Sequence, residues 1–436
     1  MVAGLGFVAL SFLLLAAHAL RGGDSGLCVF LLGSALLAFS RERWAGNVCG
    51  VLLGCGALLW LDKGTGLISL RIFTGGDWVR LAVIIGALFA LTVFSAAYCF
   101  SPSGRERYNR STENANYRSV IFLLSALLLE TARAKVSFPI LLADRFFPGW
   151  GRAEIFLLAF YGSWVGSKMF TPEGTPKIRS RIWAFFSVVF FGQLVLGLTG
   201  LDQFLMTGKL HLPIPALIVA GPVYRGSGFF MPVLFTVSVL LVGPAWCSYL
   251  CYIGAWDDYC SRRGNKKPAK DFNPRLVWVR LLLLIVVAGI AWKMRVIGIS
   301  PVVAVWAAAQ FGLISVVVML VFSREMGMMV HCSTFCPMGI VSNLLGKLSP
   351  WRLKIANTCC KCMKCTNTCR YGALKPENIK AGRPGISCTL CGDCIPSCKG
   401  GSLGYKLPLL SPDISRKVFL TVVISLHTLF LGVARI

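Results

Sequence analysis

Acidic residues are scarce in this chain, and charged residues of either sign are few. Among 436 residues there are 18 Asp and Glu against 44 Lys and Arg, and charged residues make up only 14% of the total. Soluble domains usually carry about 25% charged residues. Hydrophobic residues instead reach 56%, and the mean hydropathy is +0.70. This composition excludes a soluble or a disordered protein and predicts an integral membrane protein.

Histidine is also scarce, with four residues at His18, His211, His331 and His427. A membrane haem held by two histidines would require two of these scattered positions to meet across a helical bundle, so the sequence does not favour one. His331 directly precedes Cys332, where it would tune or protonate a neighbouring site. A histidine solvated at the membrane surface is the simpler expectation for it.

Long apolar runs are abundant, and runs of about 17 to 25 residues can cross about 30 Å of hydrocarbon as helices. We count about eleven, near residues 2–20, 25–40, 44–61, 78–100, 118–132, 153–170, 182–206, 229–247, 276–297, 302–323 and 417–434. The runs at 25–40 and 118–132 are the weakest, because one is short and the other meets Arg133 and Lys135. Ala17-His18-Ala19 has the form of a signal-peptide cleavage site, but no Lys or Arg precedes the first run, so we expect that run to remain a span.

Lys and Arg concentrate in alternate loops, which the positive-inside rule assigns to the cytoplasm. The basic loops lie at 41–43, 105–118, 168–181 and 262–275, and the sparser ones at 209–225 and 293–295. The loop at 133–152 departs from the pattern, because it is basic but falls on the opposite side. With eleven spans, a multi-pass protein of the inner membrane is predicted, with the N-terminus and the insertion at 337–416 in the cytoplasm.

Two matching cysteine runs are present, CCKCMKCTNTCR at residues 359–370 and CTLCGDCIPSCK at residues 388–399. Each contains the C-x2-C-x2-C-x3-C spacing of bacterial ferredoxins, in which the fourth cysteine of each run ligates the cluster of the other run. We therefore expect two [4Fe-4S] clusters. The predicted ligands are Cys359, Cys362, Cys365 and Cys398 for cluster 1, and Cys388, Cys391, Cys394 and Cys369 for cluster 2.

Zinc is the main alternative for these eight cysteines, but zinc sites usually present two C-x2-C pairs and do not explain the repeated triple run. Disulfides are not expected in a loop assigned to the reducing cytoplasm. One departure from the bacterial pattern is visible, since Arg370 and Lys399 stand where proline follows the fourth cysteine. This departure affects the turn and not the number of ligands.

The insertion at 337–417 is strongly basic, with 13 Lys and Arg and three acids, Glu377, Asp393 and Asp413. Basic side chains there would offset the negative charge of thiolate-bound clusters, or would dock an acidic redox protein or anionic lipid. A solvated basic surface without a partner is the remaining interpretation. Nothing in the sequence indicates a nucleic-acid partner.

Two further cysteine pairs recur in matching contexts, Cys247 and Cys251 in WCSYLCYIGAW, and Cys332 and Cys336 in HCSTFCPMGIV. Each C-x3-C pair directly follows an apolar span, so two helical hairpins form an internal repeat. If each helix continues, positions i and i+4 place both sulfurs of a pair on one side. Four thiolates brought together would suit an additional metal or cluster, or two redox-active dithiols. The competing interpretation is that they are small buried packing residues.

Over about residues 180–400, the chain resembles the membrane-bound polyferredoxins of the NapH, NosR, MauN and CcoG-like family. The resemblance rests on the order of the motifs, which is a helical hairpin, C-x3-C, a second hairpin, C-x3-C-P and then the double ferredoxin motif. The resemblance implies electron transfer between the quinone pool and a redox partner, or metal-ion reduction in the CcoG-like branch. Two departures stand out. Tyr252 replaces the proline after the first pair, so the helix there is not expected to break as at Pro337. The first 180 residues have no counterpart.

The predicted fold is an all-α polytopic membrane protein with an inserted small α+β domain of the bacterial 2[4Fe-4S] ferredoxin type. Its expected divisions are 1–180, 181–345, 346–410 and 411–436. The leading hypothesis is an electron relay between a quinone and the two clusters, with Asp202 a candidate quinol-proton acceptor and residues 211–226 a candidate wall of a quinone pocket. The alternative is a maturation factor that reduces Cu(II), since Cu(I) prefers soft thiolates such as the C-x3-C pairs. A redox-gated transporter ranks last, because the first 180 residues lack paired helix interruptions.

Overall fold

A computed structural model describes residues 2–205, 212–263, 268 and 274–433. His211 and the basic residues Lys209, Lys266, Lys267 and Lys270 of the predicted loops lie outside the described residues. The described part is mostly helical and divides into two compact units, residues 1–167 and 168–436. The finer division into four domains stays a prediction.

The first unit consists of helices. Their bounds are α1 Val2–Arg21, α2 Ser25–Phe39, α3 Arg43–Phe73, α4 Val79–Phe100, α5 Pro102–Arg107, α6 Ala115–Lys135, α7 Leu142–Phe146 and α8 Gly151–Met169, whose last residues enter the second unit. Side chains cap several of these helices; the Asp24 carboxylate, for example, accepts a hydrogen bond from the Leu27 N–H at 2.8 Å and starts α2.

The core of the first unit lies between α1, α3, α4 and α6, where Phe12, Trp44 and Phe122 are buried. The basic loop that departs from the charge pattern is partly neutralised in this unit. Arg133 pairs with Asp144 at 2.7 Å, and Arg152 pairs with Glu130 at 2.6 Å. The structure therefore gives these arginines local partners, which the loop-charge pattern alone does not reveal.

The second unit combines helices with one small hairpin. Its elements are α9 Thr175–Leu198, α10 Leu217–Arg225, α11 Phe230–Val242, α12 Tyr252–Arg263, α13 Val279–Ile297, α14 Pro301–Val318, α15 Arg324–Met326, α16 Pro337–Leu345, β1 Arg352–Ile355, α17 Pro376–Lys380, β2 Leu403–Lys406 and α18 Pro412–Val433. Single π-helical turns span Trp246–Leu250, Met319–Ser323 and His331–Phe335, and 3-10 turns span Asp202–Phe204, Gly243–Ala245 and Pro274–Trp278.

Eight helices of the described chain are long and apolar enough to cross a membrane. They span 4–21, 43–73, 79–100, 175–198, 230–250, 276–297, 301–326 and 412–433. A helix occupies each of the eleven predicted positions, but α2 is short, and α6 and α8 are not among the eight. The length and composition of these helices indicate a membrane protein, whereas the count of eleven and the orientation derived from it stay predictions.

The cysteine-rich segment folds between α16 and α18 and has little regular structure of its own. Strands β1 and β2 pair antiparallel, with Arg352 opposite Lys406 and Ile355 opposite Leu403. The Tyr405 ring of β2 stacks on Phe419 of α18, with ring centroids 4.4 Å apart. We call residues 346–410 the ferredoxin lobe. Its hairpin packs on the last apolar helix, which fixes the lobe against the helical part of the second unit.

Candidate functional site

The two C-x3-C pairs lie at two matching breaks in the helical structure. Each first cysteine sits in a π-helical turn, and the turn closes when the N–H of Cys251 donates to Trp246 O at 3.1 Å and that of Cys336 donates to His331 O at 2.8 Å. Both second cysteines then adopt extended backbone, with ψ of 113° at Cys251 and 115° at Cys336. Single π-turns often mark functional positions in helices.

One expectation about these pairs is therefore wrong, because the helix breaks at Cys251 although no proline follows it. Tyr252 is half-buried, and its ring stacks on Phe190 with centroids 4.0 Å apart. Tyr252 follows Cys251 as Pro337 follows Cys336. Aromatic packing therefore stabilises the backbone bend in the first pair, and proline stabilises it in the second.

All four cysteines of the pairs line one cavity, which we call the membrane cysteine site. Six other residues on its wall carry buried polar atoms that have no hydrogen-bond partner among the described residues. These atoms are Trp246 Nε1, Arg280 Nη2, both ring nitrogens of His331, Asn343 Oδ1, Tyr371 Oη and Thr389 Oγ1. Unpaired buried polar atoms are rare in proteins, so six such residues around four thiols fit a polar or ionic group at the centre.

Burial makes the thiols of this site weak acids. It raises the pKa of Cys251, Cys332 and Cys336 above the ordinary thiol value. Burial also lowers the pKa of His331 to about 4, so its imidazole is neutral at pH 7. Metal binding requires thiolates, and loading of this site must therefore release protons.

A carboxylate stands beside the site without lining it. Asp257 is fully buried, and burial raises its pKa to about 6, although hydrogen bonds from Ser323 and Cys332 lower it in part. The Ser323 hydroxyl donates to Asp257 Oδ1 at 2.6 Å, and the Cys332 N–H donates to Oδ2 at 2.9 Å. Asp257 thus holds the backbone of one site cysteine in place.

The four cysteines predicted for cluster 2 line a second cavity. These are Cys369, Cys388, Cys391 and Cys394, and burial raises the pKa of all four thiols, that of Cys388 to about 12. Tyr371 and Thr389 line both this cavity and the membrane cysteine site. The two groups of four thiols are therefore neighbours separated by a shared wall.

Side chains from outside the loop hold the backbone around cluster 2. Four successive carbonyls accept hydrogen bonds, those of Cys388, Thr389, Leu390 and Cys391. Their donors are Asn343 Nδ2 at 3.2 Å, Ser248 Oγ at 3.0 Å, Tyr405 Oη at 2.7 Å and Tyr249 Oη at 2.9 Å, in that order. Three of these donors belong to the ends of the apolar helices and one to β2. The loop is consequently fixed by residues far away in sequence.

A buried ion network joins the same loop to two helices. Arg179 of α9 is completely buried and donates to both oxygens of Asp393, at 2.8 and 2.7 Å. It also pairs with Asp258 of α12 at 3.1 Å. Arg262 completes the network by pairing with both carboxylates. Because Asp393 follows Cys391 by two residues, this network positions the cluster 2 loop directly.

The cluster 1 cysteines are less enclosed. Burial raises the pKa of Cys365, and nearby Cys359 and Cys398 raise it further, so the structure brings these three thiols together. Cys362 is exposed instead. A backbone hydrogen bond from Lys364 and the Cys360 thiol lower its pKa. Cys360 therefore lies beside the least buried of the predicted ligands.

Both loops nevertheless share one unusual backbone conformation. Positive φ angles occur at Lys361 and Met363 (55° and 59°) and at Leu390 and Gly392 (52° and 81°), the second and fourth residues after the first cysteine of each run. Left-handed residues in such alternation turn successive N–H groups into a concave nest that binds anions, including iron-sulfur centres. Three of the four are not glycine, so each costs about 1–3 kcal/mol that the surroundings must offset.

Within the described chain, no three His, Cys, Asp or Glu side chains are close enough to ligate a single metal ion. The cysteines are grouped by the cavities they line and by the nest-forming loops. In a cube, each thiolate binds a different iron atom, so the protein ligands surround the whole cofactor. The thiol sets, the nests and the unpaired polar atoms fit iron-sulfur cofactors.

Other predicted residues have varied positions. Asp202 is exposed in the 3-10 turn after α9, away from both cavities. The described part of segment 211–226 contains the short helix α10, and Pro215, which precedes it, lines the membrane cysteine site. Sequence reasoning missed Arg280 as a site residue. Its signal was present, because a charge inside an apolar span marks a functional candidate.

Comparisons with known proteins agree with the iron-sulfur chemistry. A family model described as "4Fe-4S binding domain" matches residues 224–270 and 308–356. Each matched stretch contains one C-x3-C pair, and the double ferredoxin motif lies outside both. The match thus falls on the membrane cysteine site.

Two curated relatives were found. The chain is 26% identical over 249 residues to "Putative electron transport protein YccM" of Escherichia coli, covering 52% of this chain and 65% of that protein. It is 22% identical over 185 residues to "Uncharacterized protein MJ0750" of Methanocaldococcus jannaschii, covering 40% of this chain and 76% of that protein. The chain thus spans less than two thirds of the first relative. No solved structure matches. These similarities support an iron-sulfur electron-transport family.

Proposed function

We propose that this protein relays single electrons between a quinone in the membrane and a redox partner in the cytoplasm. The relay would use two [4Fe-4S] clusters in the ferredoxin lobe and a further iron-sulfur centre at the membrane cysteine site. This assignment is the finer form of the iron-sulfur electron transport that the comparisons support. It corresponds to the quinone-linked branch of the NapH, NosR, MauN and CcoG-like polyferredoxins.

One observation carries the proposal, which is the shared wall between two cavities that are each lined by four cysteines. Tyr371 and Thr389 belong to both cavities. Cys369, a ligand predicted for cluster 2, also belongs to the same run as the cluster 1 ligand Cys365. The three predicted centres therefore follow one another from the ends of the apolar helices to the exposed side of the lobe, as a relay requires.

The residues around the centres have distinct tasks. Iron-sulfur clusters, when bound, accept and release one electron with a potential set by hydrogen bonds, charge and exposure. Asn343, Ser248 and Tyr249 hold the cluster 2 loop through its carbonyls, and Arg179 fixes Asp393. Such fixed contacts keep the thiols in place when charge changes and limit access of water.

Features at the two ends support the choice of partners. On the membrane side, Pro215 brings the apolar segment before α10 to the membrane cysteine site, which supports a quinone as the electron donor or acceptor there. On the other side, Lys361, Lys364 and Lys399 are exposed near the cluster 1 cysteines. Basic side chains favour an acidic redox partner through electrostatic steering. The positive-inside pattern supports a cytoplasmic position for this face of an inner-membrane protein.

The relay is tested by reducing anaerobically purified protein with duroquinol and following the visible absorbance of the clusters. In the wild type, we expect bleaching by duroquinol and by dithionite. In Cys332→Ser, the lobe clusters should still bleach with dithionite but at least tenfold more slowly with duroquinol. Cys55→Ser is the control, since Cys55 is exposed and lies in the first unit. Equal duroquinol rates in Cys332→Ser and wild type would remove the membrane cysteines from the path.

Metal reduction during cofactor maturation is the second candidate, and the four thiols on one buried wall favour it, because Cu(I) prefers soft sulfur ligands. The same preparations distinguish the two functions. Copper that is bound in the wild type and lost in Cys332→Ser, together with no bleaching by duroquinol, supports the maturation factor. Iron at that site with quinol-dependent bleaching supports the relay.

A further inference from the structure

The two halves of the membrane cysteine site are related residue by residue. At one constant sequence offset, Trp246, Cys247, Cys251, Gly254 and Asp257 of the first half correspond to His331, Cys332, Cys336, Gly339 and Ser342 of the second. Both halves contain the same π-helical turn and the same extended second cysteine. The halves are therefore structural repeats that face each other across the cavity.

The corresponding positions three residues after the two glycines carry different side chains. Asp257 accepts a hydrogen bond from the Cys332 N–H of the other half at 2.9 Å. The corresponding Ser342 has a buried hydroxyl without a hydrogen-bond partner among the described residues. This is the first chemical difference between the halves, a carboxylate on one side and a hydroxyl on the other.

A second difference lies on the helices that precede the repeats. A Cβ atom on Gly254 would overlap the Trp183 ring of α9, and one on Gly339 would overlap Arg280 of α13. Trp183 Nε1 donates to Cys251 O at 2.7 Å, whereas Arg280 Nη1 donates to Cys332 O at 3.0 Å. An indole thus packs against Gly254 in one half, and a guanidinium packs against the equivalent Gly339 in the other.

Arg280 is the only Lys or Arg on the described wall of the cavity, which it shares with Cys247, Cys251, Cys332 and Cys336. Its side chain is almost completely buried, and no carboxylate of the described residues forms an ion pair with it. Its Nη2 atom has no hydrogen-bond partner among the described residues. A buried cation without a counter-ion costs several kcal/mol, so an anionic group is expected beside it.

We propose that Arg280 is the counter-cation of the cofactor bound by Cys247, Cys251, Cys332 and Cys336, and that its charge raises the reduction potential of that cofactor. The inference rests on the proposed function, because it needs a redox centre in the cavity. Four thiolates give such a centre net negative charge, and reduction adds one more electron. A fixed positive charge stabilises the reduced form more than the oxidised form. Arg280 is a positioning residue that acts through the cofactor.

The test is an EPR-monitored redox titration of the complete protein, purified without oxygen, with Arg280→Met, Arg280→Lys and the control Arg295→Met. Arg295 lies on the same helix but is exposed. In Arg280→Met, we expect the reduction equilibrium constant of the membrane centre to fall at least tenfold, which is 59 mV for one electron. Arg280→Lys should keep most of the potential, and Arg295→Met should not change it. The two lobe clusters serve as internal references.

Several results would overturn the inference. One is a membrane centre whose potential stays unchanged in Arg280→Met, and another is an equal shift of all three centres. If Arg280→Met loses the metal, retention in Arg280→Lys supports the charge role, and loss in both variants refutes it. Failure of the proposed function is recognised separately, since wild type and Cys332→Ser would then contain equal iron and show no signal beyond the lobe clusters.

Discussion

The two cysteine loops of the ferredoxin lobe have one spacing and one backbone turn, but they lie in opposite surroundings. Every residue of loop 388–398 is buried or half-buried, and carbonyls of this loop accept hydrogen bonds from Ser248, Tyr249 and Asn343. Loop 359–369 presents Cys360 and Cys362 to solvent. The positive φ angles at equivalent positions show that the turn belongs to the motif itself.

The comparison separates two kinds of information. The cysteine spacing determines how each loop folds, and the ends of the apolar helices determine which loop is shielded from water. Hydrogen bonding and exposure tune the potential of an iron-sulfur centre, so two loops of one sequence pattern are expected to differ in potential. We expect the exposed loop to face the soluble partner and the buried loop to communicate with the membrane cysteine site.

The largest expected effect distinguishes the loops by their ligands. Cys391→Ser should lose one cluster, about four iron atoms per chain, because no cysteine of the described residues lines this cavity besides the four predicted ligands. Cys362→Ser should lose less iron, since Cys360 lies beside Cys362 and is exposed. Iron and acid-labile sulfide analysis of anaerobic preparations measures both.

Two companion variants sharpen this prediction. Cys360→Ser alone should leave the iron content unchanged, and Cys360→Ser combined with Cys362→Ser should lose a full cluster. Equal and complete loss in the two single variants, Cys362→Ser and Cys391→Ser, would show that exposure does not distinguish the loops. Zinc in place of iron in fresh preparations would reject the ligand assignment altogether.

The next effect concerns the ion network that exists at the buried loop. Asp258 is 1% exposed and pairs with Arg179 and Arg262. Loss of one partner from a buried pair costs about 3–5 kcal/mol, so Asp258→Asn should lower the apparent Tm in detergent by several degrees and loosen cluster 2. Asp413→Asn is the control. Its pair with Lys417 is exposed and contributes only about 0–1 kcal/mol.

The stabilisation by Asp258 should depend on pH, and the direction of this dependence follows from the pKa of its carboxyl group. Burial acts to raise the pKa of Asp258, but Arg179 and Arg262 lower it to a net value below 3.8. A carboxylate with a depressed folded pKa stabilises the fold above its unfolded pKa, and the contribution is lost as the pH falls through the folded value. The Tm difference between wild type and Asp258→Asn should therefore stay constant from pH 8 to about 5 and narrow below about 4. A difference that grows in acid would contradict the assignment.

Much of this arrangement could be predicted from the sequence, because it follows from the spacing of the cysteines and from the hydropathy of the chain. Apolar runs indicated the helix positions, and the repeated C-x2-C-x2-C-x3-C pattern predicted two groups of thiols. Cys369, Cys388, Cys391 and Cys394 of the second group line one cavity, and the assignment of the eight cysteines as cluster ligands stays a prediction. The paired C-x3-C hairpins also predicted that Cys247, Cys251, Cys332 and Cys336 would meet, and they line one cavity.

The rest depends on contacts between distant residues. Asp393 counted only as one acid in a basic segment, yet Arg179, more than 200 positions earlier, makes it the anchor of a loop. The shared wall of Tyr371 and Thr389 has no local signature. The break after Cys251 comes from packing of Tyr252 on Phe190, which proline statistics do not describe. Charge counts in loops likewise omit the acids that pair with Arg133 and Arg152.

The smallest expected effect examines the backbone turn that the loops share. Gly392 has a φ of 81°, and a Cβ atom there would lie 2.6 Å from the Tyr405 hydroxyl, which donates to Leu390 O at 2.7 Å. Gly392→Ala should therefore cost about 1–3 kcal/mol through the strained φ and the displaced tyrosine. Gly400→Ala is the matched control near Cys398, since its Cβ would meet only Ser402 Oγ, at 3.8 Å.

The readout for this pair is the rate at which an iron chelator removes cluster iron under anaerobic conditions. Gly392→Ala should accelerate iron release from the buried cluster. The rate of iron release from the other cluster should stay unchanged. Gly400→Ala should match wild type in both phases. If Gly392→Ala accelerates neither phase, the turn tolerates a side chain, and the fixed hydrogen bond between Tyr405 and Leu390 does not protect the buried loop. The protection would then come from the helix ends alone, since Ser248, Tyr249 and Asn343 would still hold the neighbouring carbonyls.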